Sequence, residues 1–89
     1  MPLLIVERFR LRFAKALIMC DRPDEAYSVY LGVAKRLAGK PCLEYGVALR
    51  SVGATLFQCG EREAGVEYYH RAAECYEQLP PSAKKATEE

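Results

Sequence analysis

Prolines, with the polar or glycine-containing residues beside them, divide this chain into four segments, each long enough for a helix of about 15 to 18 residues. The breaks lie at Pro23, Pro41 and the Pro80–Pro81 pair. The pattern predicts helices over residues 3–20, 24–38, 42–59 and 62–79, and a polar C-terminal tail over 80–89. No segment requires a strand, so the sequence predicts an all-α fold.

Composition limits the chain to one small globular domain. Of its 89 residues, 51% are hydrophobic and 28% charged, which is too apolar for a disordered tail. No apolar run reaches the roughly 18 residues that a membrane span needs. Thirteen Lys and Arg against twelve Asp and Glu give a net charge of +1, so no overall field is expected to attract nucleic acid or an acidic membrane.

Apolar residues follow helical spacing in each segment, and the width of the apolar face differs between segments. The third segment is apolar on nearly all sides, so we expect it in the middle of the fold. The second segment has an ordinary half-buried face of Ala26, Val29, Tyr30, Val33, Ala34 and Leu37. The fourth has an arc of roughly 200°, wider than one neighbouring helix covers. That arc comprises Gly65, Val66, Tyr68, Tyr69, Ala72, Ala73, Cys75, Tyr76 and Leu79.

The first segment combines an apolar arc with several basic residues. Arg10 lies in the middle of the arc, so we expect it to extend to solvent, pair with a glutamate, or reach another subunit. Arg8, Arg12 and Lys15 form a basic stripe within about 60° of one another. The arc comprises Leu3, Val6, Phe9, Phe13, Ala14 and Leu17, and beyond it lie Leu4, Leu11 and Ile18.

The first half of the chain matches the second half at a spacing of 39 residues. Residues of similar size align, and glycines such as Gly46 and Gly53 are expected to permit close helix approach. The short connections predict two antiparallel helical hairpins, over residues 3–38 and 42–79, that stack on each other. The aligned pairs are Phe13 with Val52, Ala14 with Gly53, Leu17 with Leu56, Cys20 with Cys59, Ala26 with Gly65, Tyr30 with Tyr69 and Val33 with Ala72.

This pattern resembles the tetratricopeptide repeat, whose signature is Trp-x-x-Leu-Gly-x-x-Tyr in the first helix and Ala-x-x-x-Phe in the second. Both hairpins depart from the signature at its opening aromatic residue, and the period exceeds the family's roughly 34 residues. The extra residues fit the 38–41 connection. The resemblance covers residues 8–79 and is carried by Arg10, Phe13, Ala14, Leu17, Ala26 and Tyr30, then Leu49, Val52, Gly53, Leu56, Gly65 and Tyr69.

The resemblance implies a short TPR-like α-solenoid over residues 1–79, a noncatalytic scaffold that binds a peptide or helix in the groove lined by the first helix of each hairpin. It turns the basic stripe toward that groove, where an acidic segment of a protein partner could bind. A plain solvated basic face is the alternative. The candidate partner-binding residues are Arg8, Arg12, Lys15, Arg50, Phe57, Tyr68 and Tyr76.

The cysteines show no metal-site spacing, and the single His70 has no second histidine to complete a Cys/His site. Cys20, Cys42, Cys59 and Cys75 each fall within a helical pattern, where a free cysteine packs as a small apolar residue. A redox-active pair is the alternative. We therefore expect no catalytic residue, metal or cofactor, and a reducing intracellular compartment. The cytoplasm is favoured, with mitochondria as the alternative because the basic first segment resembles an import helix.

Two repeats are fewer than the roughly three that such arrays need to bury a continuous core. We therefore expect a protein partner to complete the stack, and a hetero-complex rather than an isolated monomer. Because residues 1–20 carry an excess of three positive charges and residues 60–79 an excess of three negative charges, head-to-tail association is equally compatible. The predicted function is a noncatalytic protein–protein interaction module, a small accessory or adaptor subunit of a larger intracellular complex. The alternative is an RNA-associated subunit of a ribonucleoprotein assembly, which would need basic and aromatic side chains on one exposed face.

Overall fold

Four helices joined by short turns make up the fold. The computed structural model describes residues 3–80 and contains α1 (Leu3–Met19), α2 (Pro23–Arg36), α3 (Leu43–Gln58) and α4 (Arg62–Glu77). The four predicted helices are confirmed, and their ends differ from the prediction by at most two residues. Helices α1 and α2 form one antiparallel hairpin and α3 and α4 a second, and the hairpins stack mainly through α2 and α3. Most of the predicted tail, residues 81–89, lies outside the described residues.

The turn inside each hairpin has the same backbone geometry. Asp21 and Gly60, which align at the 39-residue spacing, have positive φ angles of 59° and 86°. This left-handed conformation ends a helix and turns the next backbone N–H toward its last carbonyls. In both turns that N–H donates at 2.9 Å to the carbonyl five residues earlier, from Arg22 to Leu17 and from Glu61 to Leu56. The repeat in the sequence therefore extends to the backbone.

The hydrophobic core lies between α2 and α3 and continues beneath α1 and α4. One cluster of buried side chains joins α2, α3 and α4, and a second joins α1, α2 and α3. Val33 of α2, Leu37 directly after α2 and Leu49 of α3 are almost completely buried. The predicted apolar face of α2 is confirmed, with Val29 at its half-buried edge. The central position expected for α3 is also confirmed, since it contacts each of the other helices.

Helices α3 and α4 approach each other closely at glycines. A Cβ atom added to Gly53 would lie 2.9 Å from the carbonyl oxygen of Gly65, and one added to Gly65 would lie 2.9 Å from the carbonyl oxygen of Gly53. Gly46 faces the ring of Tyr76, which would come within 2.7 Å of an added Cβ. The predicted close approach at Gly46 and Gly53 is therefore confirmed.

Helix α1 turns a different face to the core from the one the sequence predicted. Ala14 and Leu17 are buried as expected, but Phe9 and Phe13 are exposed and Glu7 is fully buried. The prediction was wrong because it counted large apolar side chains as buried and a carboxylate as exposed. Half-buried residues that were expected beyond the arc pack against the core instead, namely Leu4, Leu11 and Ile18.

Two arginines compensate the buried charge of Glu7. Arg36 of α2 donates from Nε to Glu7 Oε2 at 2.7 Å and from Nη2 to Oε1 at 3.0 Å. Arg10 donates from Nη1 to Glu7 Oε1 at 3.2 Å. Hydrogen bonding from Arg36 lowers the pKa of Glu7 and outweighs the opposite effect of burial. Of the three arrangements expected for Arg10, the structure shows pairing with a glutamate. The ion pairs of Glu7 connect α1 to α2.

Candidate functional site

Three cations converge on a concave surface between α1 and α3. Arg12 and Lys15 lie one turn apart on α1, and Arg50 reaches the same surface from α3. They border a cavity of about 310 Å³. Its lining mixes these charges with apolar and small polar side chains, and we call it the basic groove: Leu11, Arg12, Lys15, Tyr30, Val47, Arg50 and Ser51.

The basic groove keeps much of its positive charge. Within residues 3–80, neither Arg12 nor Lys15 forms an ion pair with a carboxylate. Arg50, the third cation, is exposed on α3. Burial raises the pKa of Tyr76, while the positive charge of Arg50 acts in the opposite direction. A carboxylate entering the groove could therefore accept charge-assisted hydrogen bonds from Arg12 and Lys15.

Arg8, the first residue of the predicted basic stripe, is already paired. Its Nε donates to Oε2 of Glu44 on α3 at 2.6 Å, and Glu44 is buried. Arg8 also borders a smaller cavity of about 190 Å³ on the outer side of α1, together with Ile5, Phe9 and Arg12. The ion pair with Glu44 links α1 to α3 and compensates the charge of Arg8. Arg12 and Lys15 therefore remain as the available charges of the basic stripe.

The predicted aromatic residues Phe57 and Tyr68 lie between α3 and α4. The ring of Phe57 is 5.7 Å from that of Tyr69, and the guanidinium carbon of Arg62 lies 5.7 Å from the Phe57 centroid. Tyr68 packs against both core clusters, with the guanidinium carbon of Arg71 5.0 Å from its ring centroid. Both side chains are partly buried, and neither lines the basic groove.

Tyr76, the third predicted aromatic residue, also packs between the two helices. Its ring covers Gly46, and it is partly buried. Its connection to the basic groove is the positive charge of Arg50, which opposes the effect of burial on the pKa of Tyr76. The structure therefore brings Arg12, Lys15 and Arg50 together, and places Phe57, Tyr68 and Tyr76 in the contact between α3 and α4.

Sequence reasoning missed an exposed apolar stripe on the outer side of α1. Ile5, Phe9 and Phe13, which we call the outer stripe, are spaced four residues apart and point away from the core. Aromatic residues at helical spacing were assigned to the core, which is wrong for these two phenylalanines. The 39-residue alignment contained the signal, because it places Phe9 and Phe13 opposite Ala48 and Val52, the residues through which α3 packs on the preceding hairpin.

The four cysteines are unpaired, and they occupy two different environments. Cys75 is buried, its Sγ donates to the carbonyl oxygen of Cys42 at 3.4 Å, and burial raises the pKa of its thiol. Cys20 and Cys59 are exposed in the turns after α1 and α3, so the prediction that each cysteine packs as a small apolar residue is wrong for these two. Cys42 lies just before α3 and packs against the core. In the described part of the chain, no group of three or more His, Cys, Asp or Glu side chains could hold a metal ion.

Between Leu3 and Pro80, no helix has the length and apolar character needed to cross a membrane. In comparisons with protein-family models, curated proteins and solved structures, the chain has no significant match. The features that bear on function are therefore those of the chain itself, above all the basic groove and the outer stripe.

Proposed function

We propose that this protein is a noncatalytic protein-interaction module that binds an acidic segment of a partner in its basic groove. The convergence of Arg12, Lys15 and Arg50 on one concave surface carries this proposal. Apolar side chains between the cations would contact the aliphatic or aromatic residues of the partner, and the cations would bind its carboxylates. The resemblance to the tetratricopeptide repeat, in which the first helices of the hairpins line the binding groove, supports the same assignment.

A small accessory or adaptor subunit of a larger complex is the role that fits this surface best. The chain offers a rigid two-hairpin support, a charged groove and apolar positions at its ends. Four unpaired cysteines favour a reducing intracellular compartment, with the cytoplasm as the first candidate and mitochondria as the alternative.

Fluorescence anisotropy with two labelled peptides tests the groove. One peptide alternates Asp or Glu with Leu and Phe, and its matched control replaces each acidic residue by Asn or Gln. We expect the acidic peptide to bind more tightly, with an affinity that falls as salt rises. The R12E/R50E double variant should weaken binding at least about tenfold, because each lost charge-assisted hydrogen bond contributes about 1.5–3 kcal/mol.

Lys35→Glu is the control for overall charge, since it reverses one positive charge where R12E/R50E reverses two. Lys35 is exposed on α2 and does not line the basic groove, so its reversal should leave the affinity nearly unchanged. Equal binding of the acidic and neutral peptides would contradict the proposal. So would a loss of binding free energy in the Lys35 variant that reaches half the loss in R12E/R50E, since an effect proportional to the charge change would indicate attraction to overall charge.

One observation favours a second candidate, a subunit that binds single-stranded RNA. Phe9 is exposed on the same side of α1 as Arg8 and Arg12, and all three border one cavity. An exposed ring beside cations can stack on a nucleobase while the cations contact phosphates. Because Arg8 is paired with Glu44 and the chain has a net charge of only +1, we place this function second. Tighter binding of a labelled oligouridine than of the acidic peptide, lost in Phe9→Ala, would reverse that order.

A further inference from the structure

The outer stripe lies on the end of the stack formed by α1 and α2. Phe9 and Phe13 are 61% and 57% exposed, which is unusual for two aromatic residues one turn apart on a helix. Phe13 also borders a cavity of about 270 Å³ between α1 and α2, beside Val29 and Gly32 of α2. This end of the molecule is therefore a continuous surface contributed by both helices of the first hairpin.

The second hairpin shows what normally covers these positions. Phe9 and Phe13 align with Ala48 and Val52, which are fully buried because α3 packs against the first hairpin. The exposure of the outer stripe thus follows from the lack of a preceding hairpin in the described chain, and a hairpin packed there would cover it.

The opposite end of the stack shows the complementary pattern. Val66, Tyr69 and Ala73 lie on one exposed side of α4, which we call the α4 edge. Tyr69 is 37% exposed, whereas its counterpart Tyr30 is only 7% exposed because it packs in one cluster with Val52. Ala73 is exposed, whereas its counterpart Ala34 packs in one cluster with Ala48. The α4 edge therefore repeats the side of α2 that receives the next hairpin.

The outer stripe and the α4 edge are consequently the two surfaces of one type of contact. The chain already forms this contact once, between its first and second hairpins. Their charges are complementary as well. Helix α1 has four cations against one carboxylate, a net charge of +3, and α4 has two arginines against four glutamates, a net charge of −2 with His70 neutral. Two α1 helices facing each other would instead bring like charges together.

Residues 81–89 do not offer a suitable cover for the outer stripe. Residues 81–89 have the sequence PSAKKATEE, which contains no large apolar side chain and therefore cannot bury two phenylalanines. A second copy of the chain, by contrast, supplies apolar groups and negative charge on one helix.

We propose that this protein associates head to tail, with the outer stripe of one protomer packed on the α4 edge of its partner. Phe13 contacts Tyr69 and Phe9 lies over Ala73, as Val52 and Ala48 pack against Tyr30 and Ala34 within each chain. The two surfaces differ and lie at opposite ends of the protomer. An open assembly of any length therefore still exposes one outer stripe and one α4 edge. Such a heterologous contact yields an open chain of protomers, or a ring where the rotation between protomers closes, rather than a two-fold dimer.

Sedimentation velocity of the full chain tests the proposal, with one variant blocked at each end. Phe13→Glu blocks the outer stripe, and Tyr69→Glu blocks the α4 edge. For the native protein, we expect a mass that rises with concentration beyond that of a dimer and falls as salt is added. Each variant alone should be a monomer, because all its protomers carry the same blocked surface and the contact needs both surfaces intact. The equimolar mixture should form a 1:1 dimer and nothing larger.

Met19→Glu is the control, because Met19 is exposed and its counterpart Gln58 stays exposed in the stack. This variant should associate like the native protein. Circular dichroism checks the helical content of every variant, and Phe9→Glu and Ala73→Glu replace any that unfolds. The proposal is overturned if the native chain stays monomeric up to about 1 mM, if either blocked variant still associates alone, or if the mixture remains monomeric. Association that does not respond to salt would overturn the charge complementarity.

Discussion

At the scale of single residues, the most consequential position is Glu7. It is a fully buried carboxylate in a helix that would otherwise be an ordinary amphipathic one, and it receives three hydrogen bonds from two arginines. A buried charge of this kind is costly unless it is paired, so it fixes which face of α1 meets α2. Removing its main partner should therefore cost more stability than removing a surface ion pair.

Replacing Arg36 by glutamine should destabilise the fold by about 1–2 kcal/mol, because Glu7 then keeps only Arg10 as a donor. The value lies in the lower part of the range for charged groups, since the Arg36 side chain is partly exposed to water. Chemical denaturation of the variant and the native chain at neutral pH measures the difference.

Arg22→Gln provides the control, because Arg22 and Glu25 form an ion pair in which both side chains are exposed. Its removal should have little effect. The pKa of Glu7 is lower in the folded than in the unfolded chain, so its contribution is present above the ordinary pKa of 4.5 and is lost as pH falls through the folded value. The difference in free energy of unfolding between the native protein and Arg36→Gln should consequently become smaller in acid. A difference that stays constant would show that Glu7 is not its source.

At the scale of helices, the closest contact is the backbone approach of α3 and α4 at Gly53 and Gly65. Neither position has room for a Cβ, because a carbonyl oxygen of the facing helix would lie 2.9 Å from it, and at Gly65 the ring of Phe57 is closer still at 2.7 Å. A backbone atom cannot move aside without shifting the helix axis. The distance between the two helices is thus set by two glycines, and the aromatic side chains around them pack at that distance.

Gly53→Ala should lower the free energy of unfolding by about 1–3 kcal/mol, the usual cost of overpacking, even though alanine favours helix formation. Gly32→Ala is the matched control within a helix. An added Cβ there would meet Nη1 of Arg36 at 3.2 Å, an atom that does not bond to Glu7. This second variant should be neutral or slightly stabilising. If the two alanine variants are equally stable, the close approach does not limit the packing of α3 and α4.

Much of this helical arrangement could be predicted from the sequence, because each helix end coincides with a local signal. Pro23 begins α2, and Gly60 takes the left-handed conformation after α3. The face of α1 could not be predicted, because burial of Glu7 depends on Arg36, which is 29 residues away. Periodicity measures local spacing and contains no information about such a distant partner.

The site was predictable to the extent that it depends on helix geometry. Arg12 and Lys15 lie one turn apart on α1, and the equivalence of α1 and α3 in the repeat brings Arg50 to the same side. Arg8 and the aromatic residues were less predictable. Glu44 neutralises Arg8 from another helix, and Tyr76 is required to fill the space above Gly46.

At the scale of the whole molecule, the helices at the centre of the stack have neighbouring helices on both sides. Helix α3 packs against all three other helices, whereas α1 and α4 each have one side without a neighbour among residues 3–80. In stacked repeats, stability comes from the contacts between neighbouring units, so the outer helices have the weaker support.

Amide hydrogen exchange at low protein concentration should therefore be slowest in the middle of α3 and of the facing part of α2. Amides near the start of α1 and the end of α4 should exchange about tenfold faster or more, because local opening there disrupts fewer buried contacts. Mass spectrometry of peptides from each helix measures the rates. Protection of α1 and α4 equal to that of α3 would mean that the four helices open only as one cooperative unit.

The order of the helices in space also determines how quickly such a chain can reach its native state. The extensive helix contacts join α1 to α2, α2 to α3 and α3 to α4, so each helix packs mainly on its neighbour in sequence. Little entropy is lost in closing the short turns between them, and the search does not require distant segments to meet first. Proteins dominated by such local contacts fold within microseconds to milliseconds. Because α1 and α2 are neighbours in sequence and pack on each other, we expect the first hairpin to begin to form before the second hairpin leaves the ribosome.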